Sequence, residues 1–96
     1  METKTVEAQF VNKLALVKEE GRKHSLYYVY DGEQSITRTQ ISRGHKEISE
    51  DIFRKIAEQL FLKMSELRAA INCPMSKKDF YKIVIERWKE KYYSKR

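Results

Sequence analysis

The most regular pattern of apolar and polar positions in this chain is a pair of alternating segments separated by a turn. Residues 24–30 are dominated by tyrosine, valine and leucine, and their alternation between two faces predicts a β-strand. Asp31-Gly32 predicts a hairpin turn, because glycine readily adopts the positive φ that such turns need. Residues 35–42 predict the return strand, and one of its faces is half polar and is expected to meet solvent: Ile36, Arg38, Gln40 and Ser42.

Helical spacing precedes this hairpin. Residues 5–13 predict a first helix with Thr5 as its cap. The apolar face of that helix is expected to contain Val6, Phe10 and Val11. The next run, residues 14–18, fits either a continuation of the helix or a short strand, and periodicity does not separate the two. Glu19-Glu20-Gly21 breaks whichever element precedes it.

The longest helical pattern follows a basic loop at residues 42–46. Ser49 is predicted to cap this helix, because the residues that follow it in the first turn are acidic and suit the positive end of a helix. Its apolar residues recur at three- and four-residue spacing: Ile52, Phe53, Ile56, Ala57, Leu60, Phe61 and Met64. The pattern either continues through Ile71 or breaks near Lys63 and restarts, and Cys73-Pro74 ends it in both cases.

A last helix is predicted after a capping box formed by Ser76 and Asp79. Its apolar face is expected to pack against the rest of the domain: Phe80, Ile83, Val84 and Trp88. Together these elements predict a single α+β domain over residues 1–96. Its order is an N-terminal helix, an antiparallel meander of two or three strands, and two or three helices. A chain of 96 residues is long enough for one modest core.

The composition favours anionic partners. The chain has 20 basic and 14 acidic residues, which gives a formal net charge of +6. This balance points first to nucleic acid, although in many small proteins such charge serves solubility alone. The sequence shows no apolar run that would span a bilayer and no secretory leader. We therefore expect no membrane partner. Cys73 is the single cysteine, so we also expect a cytoplasmic protein with no internal disulfide.

Candidate chemistry centres on His24, at the head of the first predicted strand. An imidazole can take or give a proton near neutral pH, and the adjacent Arg22 and Lys23 could hold a phosphate. His45 is the only other histidine. If the strands pair around Asp31-Gly32, residue 24 lies opposite about residue 40, which brings the His45 loop towards the same end of the sheet. The alternative is that both are surface histidines without a role.

A binding surface is a second possibility for the same region. The cations along the predicted strands and loop could contact phosphates without reading sequence: Arg22, Lys23, Arg38, Arg43 and Lys46. Tyr28, with Tyr27 and Tyr30, could stack on unpaired bases, although one or two of these tyrosines are expected in the core. No spacing typical of a metal site occurs, so neither a metal nor a cofactor is predicted.

The predicted order of elements resembles the double-stranded-RNA-binding-like folds, and within them the HicA-type toxins, a family of small messenger-RNA interferases. Residues 5–62 carry the resemblance, through these counterparts of the family pattern: Leu14 to Lys18, Gly21-Arg22-Lys23-His24, Tyr27-Tyr28-Val29-Tyr30, Asp31-Gly32, Ile36 to Ile41, and Ser42 to Lys46. The chain departs from that pattern in two ways. Two residues separate Gly21 from His24 where the family has one, and residues 63–96 form a helical extension.

Three functions are therefore carried forward. The first is RNA binding, with RNA favoured over DNA, through the aromatic hairpin and the basic loop. The second, which the resemblance implies, is a HicA-like endoribonuclease that uses His24 and pairs with an antitoxin-like protein or with a second copy. The third is a protein–protein adaptor that acts through the C-terminal helix.

Overall fold

The computed structural model describes residues 1–72 and 74–92. A helical segment comes first, and three antiparallel strands and three further helices follow it. The first helix is continued by a π-helical turn, Gln9–Lys13. The other elements are α1 Thr3–Ala8, β1 Val17–Glu20, β2 His24–Asp31, β3 Gln34–Ser42, α2 Glu50–Gln59, α3 Met64–Asn72 and α4 Lys77–Tyr92. The predicted α+β class, with a helix, a three-stranded meander and three further helices, is confirmed.

The sheet has β2 at its centre, paired with β1 on one side and β3 on the other. The pairing of β2 with β3 shifts at Val29 and Tyr30, and this bulge leaves Ile36 as an extra residue on β3. Ile36 is therefore buried, and its predicted place on the solvent side was wrong. The predicted pairing of residue 24 with about residue 40 was also wrong, because the bulge and the position of the turn bring His24 opposite Ser42.

The N-terminal helical segment ends at Lys13 as predicted, but it differs from the prediction in where it begins and in the π-helical geometry of its second half. It begins at Thr3 after Glu2, so Thr5 lies within the first turn and does not cap it. The π-helical turn spaces residues by five instead of four, as the hydrogen bond from the Leu14 N–H to the Gln9 carbonyl shows. This change of phase leaves Val11 42% exposed, where the sequence placed it on the apolar face. The ambiguous run after it ends in β1, which extends to Glu20.

The second predicted helix breaks in the middle, as one of its two alternatives required. Ser49 caps α2 as predicted, since its hydroxyl accepts a hydrogen bond from the Ile52 N–H at 3.3 Å. The helix ends at Gln59, Phe61 adopts a positive φ of 60°, and α3 then begins. Ile52 is 39% exposed and was wrongly assigned to the apolar face. Cys73 lies outside the described residues.

The C-terminal helix is part of the core. Its predicted cap forms, since the Asp79 N–H donates to the Ser76 hydroxyl at 3.1 Å. Phe80 and Val84 are fully buried and Trp88 nearly so, in the same cluster as residues of the first helix. Residues 77–92 are thus integral to the domain and not appended to it. These three side chains are covered, so they offer no apolar surface for an adaptor.

Two polar side chains of α4 tie down the turns that precede β1 and α3. The Tyr81 hydroxyl donates to the Leu14 carbonyl at 2.6 Å, beside Ala15 with its positive φ of 54°. The Arg87 guanidinium donates to the Phe61 carbonyl at 2.8 Å and to both oxygens of Glu66. These Arg87 hydrogen bonds lower the pKa of the Glu66 carboxyl. α4 therefore stabilises both positive-φ turns.

None of the described helices is long and apolar enough to cross a bilayer.

Candidate nucleic-acid interface

The helices cover one face of the sheet and leave the other uncovered. On β2, Ser25, Tyr27 and Val29 are buried, while the residues that alternate with them are partly or fully exposed. The strand register extends this second face across all three strands: Val17, Tyr28 and Arg38; Glu19, Leu26 and Gln40; His24 and Ser42; Tyr30 and Ser35. We call these residues the open face. Within the described residues, the hydrophobic core takes in none of them.

Aromatic side chains occupy the part of the open face nearer the turn between β2 and β3. The rings of Tyr28 and Tyr30 lie 6.5 Å apart between centroids, with an angle of 52° between their planes. Tyr30 is 36% exposed. Val17, which lies on β1 and pairs with Tyr28, is 51% exposed. Exposed aromatic and aliphatic side chains on an uncovered sheet are a typical feature of binding surfaces.

Tyr27 points the other way, as expected for one of the three tyrosines. Its ring packs edge-on against Phe10 at 5.3 Å, and its hydroxyl donates to the Glu7 carboxylate. Burial, together with this hydrogen bond, raises the pKa of the Tyr27 hydroxyl well above its usual value. Tyr27 therefore anchors the first helix to the sheet and takes no part in the open face.

A basic turn lies at one end of the sheet, between β1 and β2. Arg22 and Lys23 are exposed at its tip, and the Gly21 N–H donates to the His24 carbonyl at 2.9 Å. A Cβ atom on Gly21 would lie only 2.8 Å from that carbonyl oxygen, so the turn requires glycine. The two residues between Gly21 and His24, which depart from the HicA pattern, are the tip of this turn.

The other three cations that were predicted to contact phosphate, Arg38, Arg43 and Lys46, lie in three different environments. The Arg43 N–H donates to the Lys23 carbonyl at 2.8 Å, so the loop after β3 lies against the basic turn. The Arg43 guanidinium, however, forms an ion pair with Glu20 at 3.2 Å, which offsets part of its charge. Lys46 lies on the helical side, where its carbonyl accepts from the Thr3 N–H at 2.9 Å. Arg38 is exposed on the open face.

Both histidines lie near the end of the sheet where β2 begins and β3 ends. His24 is half-buried, and strand alternation assigns it to the open face beside the basic turn. His45 is exposed after Gly44, and it lines hollows bounded by Thr3 and other residues near the first helix. That helix packs on the opposite face of the sheet. Ser42, which pairs with His24, lines one of these hollows together with His45, so the loop reaches the expected end of the sheet. The convergence of the two imidazoles stays a prediction.

Sequence reasoning missed several members of the open face. Val17 and Glu19 were not anticipated, because the run that ends in β1 could not be assigned to a strand. Gln40 and Ser42 were placed on the solvent side of β3 but given no role. Tyr30 was grouped with Tyr28 and was not singled out as a binding residue. Its two-residue spacing from Tyr28 on a strand is the signal that predicts both rings on one face.

The described residues contain no group of three or more histidine, cysteine, aspartate or glutamate side chains that could hold a metal ion. Comparison of the chain with known protein families, with curated proteins and with solved structures gives no match.

Proposed function

We propose that this protein binds RNA through the open face and the basic turn. The observation that supports the proposal is that the open face and the basic turn form one continuous surface. An uncovered sheet with two neighbouring tyrosine rings and an exposed arginine ends at a turn that carries two more exposed cations. Aromatic rings and cations on one surface suit a ligand with both bases and phosphates. The single cysteine favours a cytoplasmic location.

The cations at this surface are available to a ligand. Arg22, Lys23 and Arg38 form no ion pair within residues 1–72 and 74–92, in contrast to Arg43. Phosphate contacts from such groups position a nucleic acid without reading its sequence. The binding we propose is therefore electrostatic in large part and tolerant of sequence.

RNA cleavage of the HicA type is the second candidate. The position of His24 favours it, because His24 lies at the end of the open face that adjoins the basic turn, where a bound phosphate would be held. The helix–strand–strand–strand–helix order also agrees with the resemblance. In this mechanism His24 would act with Arg22 and Lys23, and assistance from His45 stays a prediction.

A salt titration tests the proposal. Fluorescence anisotropy with a labelled mixed-sequence RNA should show an affinity that falls with salt, with a logarithmic slope of about −2 for three phosphate contacts. Arg38→Ala should reduce the size of that slope by about 0.7. Lys82→Ala, which removes an exposed cation from α4, is the matched control and should leave it unchanged.

Absence of RNA binding at low salt, or an affinity independent of salt, would refute the proposal. The same samples run on a denaturing gel report on cleavage. Cleavage by the parent protein that is lost in His24→Ala, with binding retained, would establish the enzymatic candidate. Intact RNA with the parent protein would eliminate it.

A further inference from the structure

We infer that the nucleic acid bound at the open face is single-stranded, with two neighbouring unpaired bases stacked on Tyr28 and Tyr30. The inference rests on the proposed function and adds to it the form of the ligand. It depends on the geometry of the two rings, on the group across the strand from them, and on the length of the surface.

The two rings form a pair of separate platforms. Both lie on β2, two residues apart, on the face that no described helix covers. Their centroids are 6.5 Å apart and their planes are tilted by 52°, so the rings do not stack on each other. Each ring can therefore receive its own base, and stacking of this kind tolerates any base because every base has a π-face.

The ring spacing disfavours a duplex. Along one strand of a double helix the bases rise by about 3.4 Å and cover each other's faces. Rings 6.5 Å apart can engage two successive bases only when those bases are spread and their faces are free. Unpaired strands, loops and ends provide such bases, whereas paired helices do not.

Arg38 supplies the charge that this arrangement needs. The register places it directly across from Tyr28, on β3 and on the same face. Its guanidinium can bind the phosphate beside a stacked base, or extend the platform by lying over the base itself. Gln40, the next residue of β3 on this face, adds an exposed amide that can donate or accept hydrogen bonds.

The open face is long enough for more than a dinucleotide. Tyr30 lies six positions after His24 along β2, a length of roughly 20 Å at the usual rise of a strand. The basic turn with Arg22 and Lys23 follows at that end. A strand whose bases lie on the tyrosines can therefore continue along β2 and place later phosphates at the turn.

The test compares one labelled RNA strand, free of self-complementarity, with the same strand annealed to its complement. The parent protein should bind the single strand more tightly. Tyr28→Ala and Tyr30→Ala should each weaken that binding about tenfold, since a stacked base contributes on this scale. Tyr28→Phe keeps the ring and should bind within about twofold of the parent. Tyr92→Ala, which removes an exposed tyrosine from α4, is the control and should have no effect.

Thermal melting of each variant separates loss of binding from loss of folding, and Tyr28→Phe provides the comparison should Tyr28→Ala fail to fold. Equal or tighter binding of the duplex, or unchanged binding by folded Tyr28→Ala and Tyr30→Ala, would overturn the inference. The proposed function would survive that result if Arg38→Ala still weakened binding. Failure of both RNA forms to bind would instead refute the proposed function.

Discussion

Replacing Arg22 and Lys23 together by glutamate is expected to weaken RNA binding about 100-fold at low salt, because two attractive phosphate contacts become repulsive. Both side chains are exposed at the tip of the turn between β1 and β2, and neither has an ion-pair partner within the described residues. The turn itself depends on Gly21 and its backbone hydrogen bond, which the substitutions leave intact. Folding should therefore be unaffected, and binding measured by anisotropy should report the loss of charge alone.

The matched control reverses two exposed lysines of α4, Lys78→Glu with Lys82→Glu. Each double variant lowers the formal net charge by four, from +6 to +2. If binding depends on the basic turn, the α4 variant should bind RNA nearly as well as the parent protein. Equal losses in the two variants would mean that RNA responds to overall charge, and the turn would have no special place in the interface.

Replacing Phe80 by alanine is expected to lower the free energy of unfolding by about 3–5 kcal/mol, the usual cost of removing a buried aromatic ring. Phe80 is fully buried, packs edge-on against Tyr81 at 5.3 Å, and belongs to the same core as Phe10. A domain of this size has a total stability of about 5–15 kcal/mol, so the variant should be marginal or unfolded at room temperature. Chemical denaturation followed by circular dichroism measures the change.

Val11→Ala provides the comparison for this loss. Val11 is an apolar residue of the first helical segment that is 42% exposed, so its truncation should change stability by no more than about 0.5 kcal/mol. A similarly small effect of Phe80→Ala would show that α4 contributes little to the fold. Residues 63–96 would then act as an extension appended to the part of the chain that resembles the HicA pattern.

Where local chemistry determined an element, the sequence was sufficient to predict it. Ser49 and Ser76 cap their helices as their positions indicated, because a serine hydroxyl can accept from a free N–H of the first turn in any tertiary context. Alternation over residues 24–30 predicted β2, and the half-polar face of β3 correctly placed Arg38 in solvent. The exposed cations Arg22 and Lys23 followed from composition and turn position.

Features that depend on how segments meet were beyond the sequence. The bulge at Ile36 arises from the pairing of β2 with β3, and together with the position of the turn it moves the partner of His24 from the predicted residue 40 to Ser42. β1 becomes a strand only because β2 is there to pair with it, so its contribution to the open face, Val17 and Glu19, stayed hidden. The loop after β3 also brings His45 to hollows that Thr3 of the first helix helps to line, a position that the sequence did not predict.

The most direct test of the central claim, that RNA contacts the open face, is a titration of isotope-labelled protein with a short single-stranded RNA, followed by two-dimensional amide spectra. The largest shift changes should fall on the basic turn and on the strands beside it, with Arg22, Lys23, Tyr28, Tyr30 and Arg38 among them. The amide signals of α4 should not shift. Shift changes concentrated on α4, or none anywhere, would contradict the claim.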